Sequence, residues 1–130
     1  MAAINLLVTG AVFSTQAGFS ALRFANAAIA AGHSITQVFF YQDGVTQGSA
    51  LSVPLGDEFD ASSAWGELAD KQGIELVICV SAGERRGVLG DAQAHEFAKA
   101  AHNLHSSFRV EGLGVLHDAC LQADRTVTFK

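Results

Sequence analysis

A chain of 130 residues with 49% hydrophobic and only 16% charged residues is the size of one domain, able to bury roughly two thirds of its unfolded surface. That apolar excess calls for a sheet covered on both faces, for subunit interfaces, or for both. The net charge of −5 argues against a nucleic-acid binder, which needs a basic stripe to neutralise phosphates, so any service to RNA is expected to pass through another protein. Two cysteines do not make a disulfide framework. The apolar start Ala2 to Phe13 has no basic residue before it, the first being Arg23, and reads as a strand rather than a secretory signal. No apolar run approaches the ~20 residues of a membrane span. The expected setting is a reducing cytoplasm, where free thiols persist.

The chain alternates β-rich and helical stretches, which predicts an α/β domain over residues 1–130: about five mainly parallel strands with helices on both faces. The first strand runs from Ile4 to Thr9 and is closed by Gly10. Ser14-Thr15-Gln16 then offers capping groups to a helix reaching about Ala31, with Phe19, Leu22, Ala25 and Ile29 at the spacing of a buried stripe. Asn26, at the edge of that stripe, needs a partner or partial exposure, and Gly32 supplies the stop. The second strand, Ile35 to Tyr41, ends at the turn signal Asp43-Gly44, and Val45 to Glu58 form a long loop of the kind that serves as lid or interface arm.

Asp60 or Ser62 can cap a second helix through Trp65 and Leu68 to about Gln72, with Gly73 after it. The third strand, Glu75 to Val80, carries the unbroken run Leu76-Val77-Ile78-Cys79-Val80 of a central strand covered on both faces. A loop from Ser81 to Gly90 and a helix from Asp91 to about Leu104 follow. A short strand near Phe108 to Leu116, a brief helix around Asp118 to Ala123 and a last strand, Thr126 to Phe129, complete the pattern.

Reactive groups in open α/β sheets gather beyond the carboxyl ends of the strands. Cys79 lies near such an end, followed by the small residues Ser81-Ala82-Gly83 and then by Arg85-Arg86-Gly87. Thiolates react, and nearby cations or backbone N–H groups favour them; small neighbours leave room for a sulfur donor. The competing reading is inert core, the usual fate of a cysteine inside an apolar strand. Glu84, beside the arginines, can pair with either and weaken their pull. Cys120, in a helical stretch, reads as core, with a resolving thiol as the alternative.

His95, His102 and His105 fall at spacings that a helix places on one side, read here as an exposed or interfacial face rather than a metal site. The turn Thr9 to Gln16 leads into a helix N-terminus where an anion can sit. No GxxxxGK[ST] or GxGxxG pattern is present, and capping accounts for Ser14 and Thr15.

Several segments in order resemble the DsrE/TusD family of sulfurtransferases: Val8-Thr9-Gly10, Val38 to Tyr41 with Asp43-Gly44-Val45, and Asp57 to Asp60 leading to Ala64-Trp65. The strongest is Ile78-Cys79-Val80-Ser81-Ala82 with Arg85-Arg86-Gly87-Val88; Gly112-Leu113-Gly114 and Ala123 to Phe129 also match. The resemblance implies a flavodoxin-like (DsrE-like) fold and a persulfide on Cys79, with Arg85 and Arg86 available to stabilise the anion and no metal or organic cofactor. It also implies a heterohexamer with TusB/TusC-like or DsrH/DsrF-like subunits, a TusA-like donor and a TusE-like (DsrC-like) acceptor. The end point is 2-thiouridine in tRNA or, alternatively, sulfur oxidation; a non-catalytic subunit of the same oligomer is the other reading.

Overall fold

The computed structural model describes all of residues 1–130. Five strands form one sheet: β1 (Ala3–Val8), β2 (Ser34–Phe40), β3 (Glu75–Cys79), β4 (Phe108–Glu111) and β5 (Arg125–Phe129). Their order is β4-β3-β2-β1-β5, and every pairing is parallel. Parallel neighbours need crossovers, and the helices supply them. They are α1 (Ala17–Ala30), α2 (Ala61–Gln72), α3 (Val80–Arg86), α4 (Asp91–Glu96) and α5 (Leu113–Gln122). A 3-10 segment, Gln42–Gly48, follows β2. The expected α/β domain with a five-stranded sheet is therefore what forms.

Strand alternation sorts the sheet into two unlike faces. Register places Leu6, Val38, Leu76 and Phe108 in one row, and Val8, Phe40, Ile78 and Val110 in the next. This face is apolar throughout and holds the main core. Phe40 meets the α2 residue Trp65 edge-on at 5.5 Å and Phe108 at 5.3 Å, both in the favoured range for aromatic pairs. The opposite face carries Asn5, Gln37 and Glu75 in one row, with Leu7, Phe39, Val77 and Arg109 beyond them. It is covered by α5, which has no buried residue and touches the sheet where Asn5 Nδ2 donates to Cys120 Sγ at 3.5 Å.

Several expectations shift. The buried stripe of α1 is Ala17, Gly18, Ala21, Ala25 and Ala28, whereas Phe19 is 42% exposed and Leu22 and Ile29 are half-buried. Small residues let the helix lie close to the sheet, and the bulky ones flank the contact. Asn26 is exposed and donates to the Leu22 carbonyl, which meets its need for a partner. The stretch after Cys79 is not a loop, because α3 begins at once and ends at Gly87, whose φ of 71° suits a residue without a side chain. The helix from Asp91 stops at Glu96 instead of about Leu104, and β4 stops at Glu111, with α5 starting already at Leu113.

Candidate functional site

Cys79 is both the last residue of β3 and the residue preceding the first turn of α3, in extended conformation with φ −66° and ψ 127°. The chain passes from strand to helix there without an intervening loop. The first-turn N–H groups of any helix lack intrahelical acceptors, so Cys79 lies beside a set of backbone donors. The side chain is 1% exposed, and its sulfur lies 3.6 Å from the Ser81 hydroxyl. α3 packs tightly behind it. A Cβ on Gly83 would stand 2.8 Å from the Val88 carbonyl oxygen, so only glycine allows the chain to double back at that point.

The two arginines do different things. Arg86 Nε donates to the Asp43 carboxylate at 2.7 Å, and its Nη1 donates to the Ala82 carbonyl at 3.2 Å. Its guanidinium is therefore committed to the 3-10 segment and to its own helix. Arg85 is exposed and has no ion pair. Glu84 is half-buried and pairs with neither arginine. What the sequence did not single out is the neighbour across the sheet, since Cys79 is in register with Glu111. That carboxylate is held by Arg109 Nε at 3.3 Å, and Arg109 also bonds Glu75. Only knowledge of the β3–β4 register could have revealed this acidic neighbour.

Cys120 is exposed, not core. It lies over Asn5 on β1, level with Gln37 and Glu75. Cys79 is four residues further along and two strands across, roughly 13 Å and 10 Å at ordinary strand spacings. A disulfide needs Cα atoms within about 7 Å. Cys120 is not a resolving thiol for Cys79 in this fold.

The three histidines do not share a helix face. His95 is in α4, but His102 and His105 lie beyond its end, His102 against Asp91 at 3.4 Å and His105 accepting from the Ser107 N–H at Nδ1. No helix is long and apolar enough to cross a membrane.

A sequence model of the DsrE/DsrF-like family matches residues 2–129. The chain belongs to the DsrE/DsrF-like family. Among curated relatives, a protein of Klebsiella pneumoniae named Sulfurtransferase TusD is 46% identical over 124 residues, covering 95% of this chain and 97% of that one. A Vibrio parahaemolyticus protein named Sulfurtransferase TusD homolog is also 46% identical, over 96% of this chain and 95% of its own. Among solved structures, the ychN protein from E. coli superposes with a TM-score of 0.78 over 99% of this chain and 100% of that one. At 22% identity that likeness concerns the fold alone. The family's fold is the DsrE-like arrangement that the sequence motifs imply.

Proposed function

We propose that this chain is a sulfurtransferase that carries a persulfide on Cys79 and passes it to a partner protein on the way to 2-thiouridine in tRNA. One observation carries the reading: the cysteine joins the end of β3 to the first turn of α3, whose N–H groups its sulfur does not cap in the resting structure and which are left for an anionic sulfur. The relatives named Sulfurtransferase TusD support the reaction class.

In this reading the Cys79 thiolate attacks the outer sulfur of a donor persulfide, R–S–S⁻. The S–S bond of the donor breaks, the donor leaves as thiolate, and Cys79 becomes Cys79–S–S⁻. An acceptor thiolate then attacks that terminal sulfur and releases Cys79. Each step exchanges one S–S bond for another, so no outside oxidant or reductant is needed. Arg85 is the free cation near the helix, whereas Arg86 serves by holding α3 in place. Since Cys79 is 1% exposed, docking of donor or acceptor has to open the Ser81 side of the site.

The partners in this reading are a TusA-like donor, a TusE-like acceptor and two paralogous subunits, TusB/TusC-like, in a cytoplasmic heterohexamer. The segment after the 3-10 turn suits such assembly, because Leu51, Val53 and Leu55 are 68%, 76% and 72% exposed. A second reading, a structural subunit with Cys79 as filler, draws on the burial of that residue.

The deciding experiment is intact-protein mass after incubation with a cysteine desulfurase, cysteine and a TusA-like carrier, repeated with the paralogous subunits present. A gain of one sulfur that is lost on reduction and absent from Cys79→Ser supports the carrier. No gain in either setting supports the structural subunit.

A further inference from the structure

The two edges of the sheet are built differently. At one edge, β4 is four residues long, carries the charged side chains Arg109 and Glu111, and is followed at once by α5. Charges and brevity blunt an edge against pairing with another chain. At the other edge, β5 pairs only with β1, in unbroken register from Arg125 to Phe129. Its middle, Thr126-Val127-Thr128, holds no charge, no proline and no bulge. Such an edge is a template for a further strand.

Backbone direction along β5 follows from one bond. The Phe129 carbonyl accepts the Thr9 N–H at 2.9 Å, so Phe129 turns its polar groups toward β1. Successive residues of a strand alternate, so Val127 and Arg125 do the same, while Thr126 and Thr128 turn theirs outward. Both threonines are exposed, and no bond outside the β1–β5 ladder reaches their backbone. Asp124 and Arg125 precede them, and Phe129 and Lys130 follow. Neither Asp124 nor Lys130 has an ion pair within the chain. One Asp124 oxygen accepts the Ala3 N–H, and the other is free.

We propose that β5 pairs antiparallel with β5 of a second copy of this chain, across a two-fold axis at Val127. In this register Thr126 faces Thr128 of the second copy, and each such pair exchanges both N–H···O=C bonds. Asp124 faces Lys130, and Arg125 faces the Phe129 ring; the two-fold repeats each contact. A slip of two residues sets Lys130 opposite Thr126 or carries it past the end of the strand, and both charge pairs are lost. The order acid, base, Thr-Val-Thr, ring, base is thus its own complement, which favours this chain over an unrelated strand. The pairing is independent of the sulfur relay, because β5 is three strands away from β3 and Cys79.

The test is sedimentation velocity of the full chain, without other subunits, up to about 1 mM, the weak end of specific association. A species of twice the chain mass is expected. Thr128→Pro, which removes only an outward N–H, should weaken the dimer at least about tenfold. Lys130→Glu, at an exposed position, sets like charges opposite each other and should weaken it roughly two- to tenfold. Register is read by disulfide formation in a Cys120→Ser background. Val127→Cys should cross-link two copies under a mild oxidant, since facing Cα atoms in a non-hydrogen-bonded pair are about 4.5 Å apart. Thr126→Cys should not, because its twin lies two residues further along, past the roughly 7 Å that a disulfide spans. A chain that is monomeric throughout overturns the proposal. A dimer untouched by Thr128→Pro or by Lys130→Glu overturns it as well, as does a failure of Val127→Cys to cross-link faster than Thr126→Cys.

Discussion

Arg86 joins two elements that the sequence separates by more than forty positions: its Nε bonds the Asp43 carboxylate at 2.7 Å while its Nη1 bonds the Ala82 carbonyl of α3. The pair pins the short helix that starts at Cys79 to the segment that follows β2. The arginine motif is thus a brace for the backbone around the cysteine rather than a pair of equivalent cations.

The brace should be modest in energy. The side chains of Arg86 and Asp43 are 31% and 65% exposed, and exposed ion pairs contribute about 0.2–1 kcal/mol. Asp43→Asn is expected to lower unfolding free energy by no more than about 1 kcal/mol, with the difference shrinking in high salt. A double-mutant cycle with Arg86→Gln, read by urea denaturation, should recover a coupling of that size. Additive losses from the two changes would mean that the pair does not act as a unit.

The cysteines should separate cleanly by reactivity. Cys120 is exposed and Cys79 is buried, so a thiol reagent should label the native protein at one position quickly and at the second only on unfolding. Cys120→Ser should remove the fast phase and leave the slow one. Fast labelling of both thiols in the native chain would contradict the burial of Cys79. In the proposed relay, mixing with the donor carrier should accelerate labelling or persulfidation of Cys79, because docking opens the Ser81 side.

Arg85 gives a graded test of the proposed chemistry. It is exposed and unpaired, so the charge it offers an outer sulfur acts through solvent. Arg85→Ala should slow sulfur transfer by roughly two- to fivefold, the equivalent of an exposed ion pair, without changing stability by more than about 0.5 kcal/mol. The measurement is single-turnover transfer from a persulfidated donor, followed by mass. A loss as complete as that of Cys79→Ser would give Arg85 a larger part than its exposure allows.

Much of the fold was legible, and the exceptions have physical causes. The run Leu76 to Cys79 announced a central strand because both of its faces are covered. Trp65 and Leu68 marked the inner side of α2 correctly, and both are buried. In α1 the periodicity of large residues pointed to Phe19, but close packing selected alanine and Gly18 for the contact. α3 was invisible because its seven residues are too few to show a periodic stripe and include Gly83, and tertiary closeness to Val88 holds it. The helix after Asp91 was overrun because nothing before Leu104 breaks it strongly; Ala98, at φ 54°, ends it in a conformation that no sequence rule singles out. At the candidate site the cysteine and its small neighbours were readable, whereas the Asp43–Arg86 tie and the Cys79–Glu111 register depend on contacts distant in the chain.

Trp65 provides the last prediction, about the core that positions the site. It is fully buried against Phe40 at 5.5 Å, yet its indole N–H has no partner. Two effects therefore oppose each other on substitution. Trp65→Ala removes the whole ring and should cost about 3–5 kcal/mol through lost burial and a cavity. Trp65→Phe keeps an aromatic edge toward Phe40 and deletes the unsatisfied donor, whose burial costs about 1–3 kcal/mol. Its net loss should be well below that of alanine, at most about 2 kcal/mol. Chemical denaturation of both variants decides the matter. Equal losses for phenylalanine and alanine would show that the indole N–H is satisfied in solution, for instance by a buried water, and that ring volume alone does not set the stability of this wall of the core.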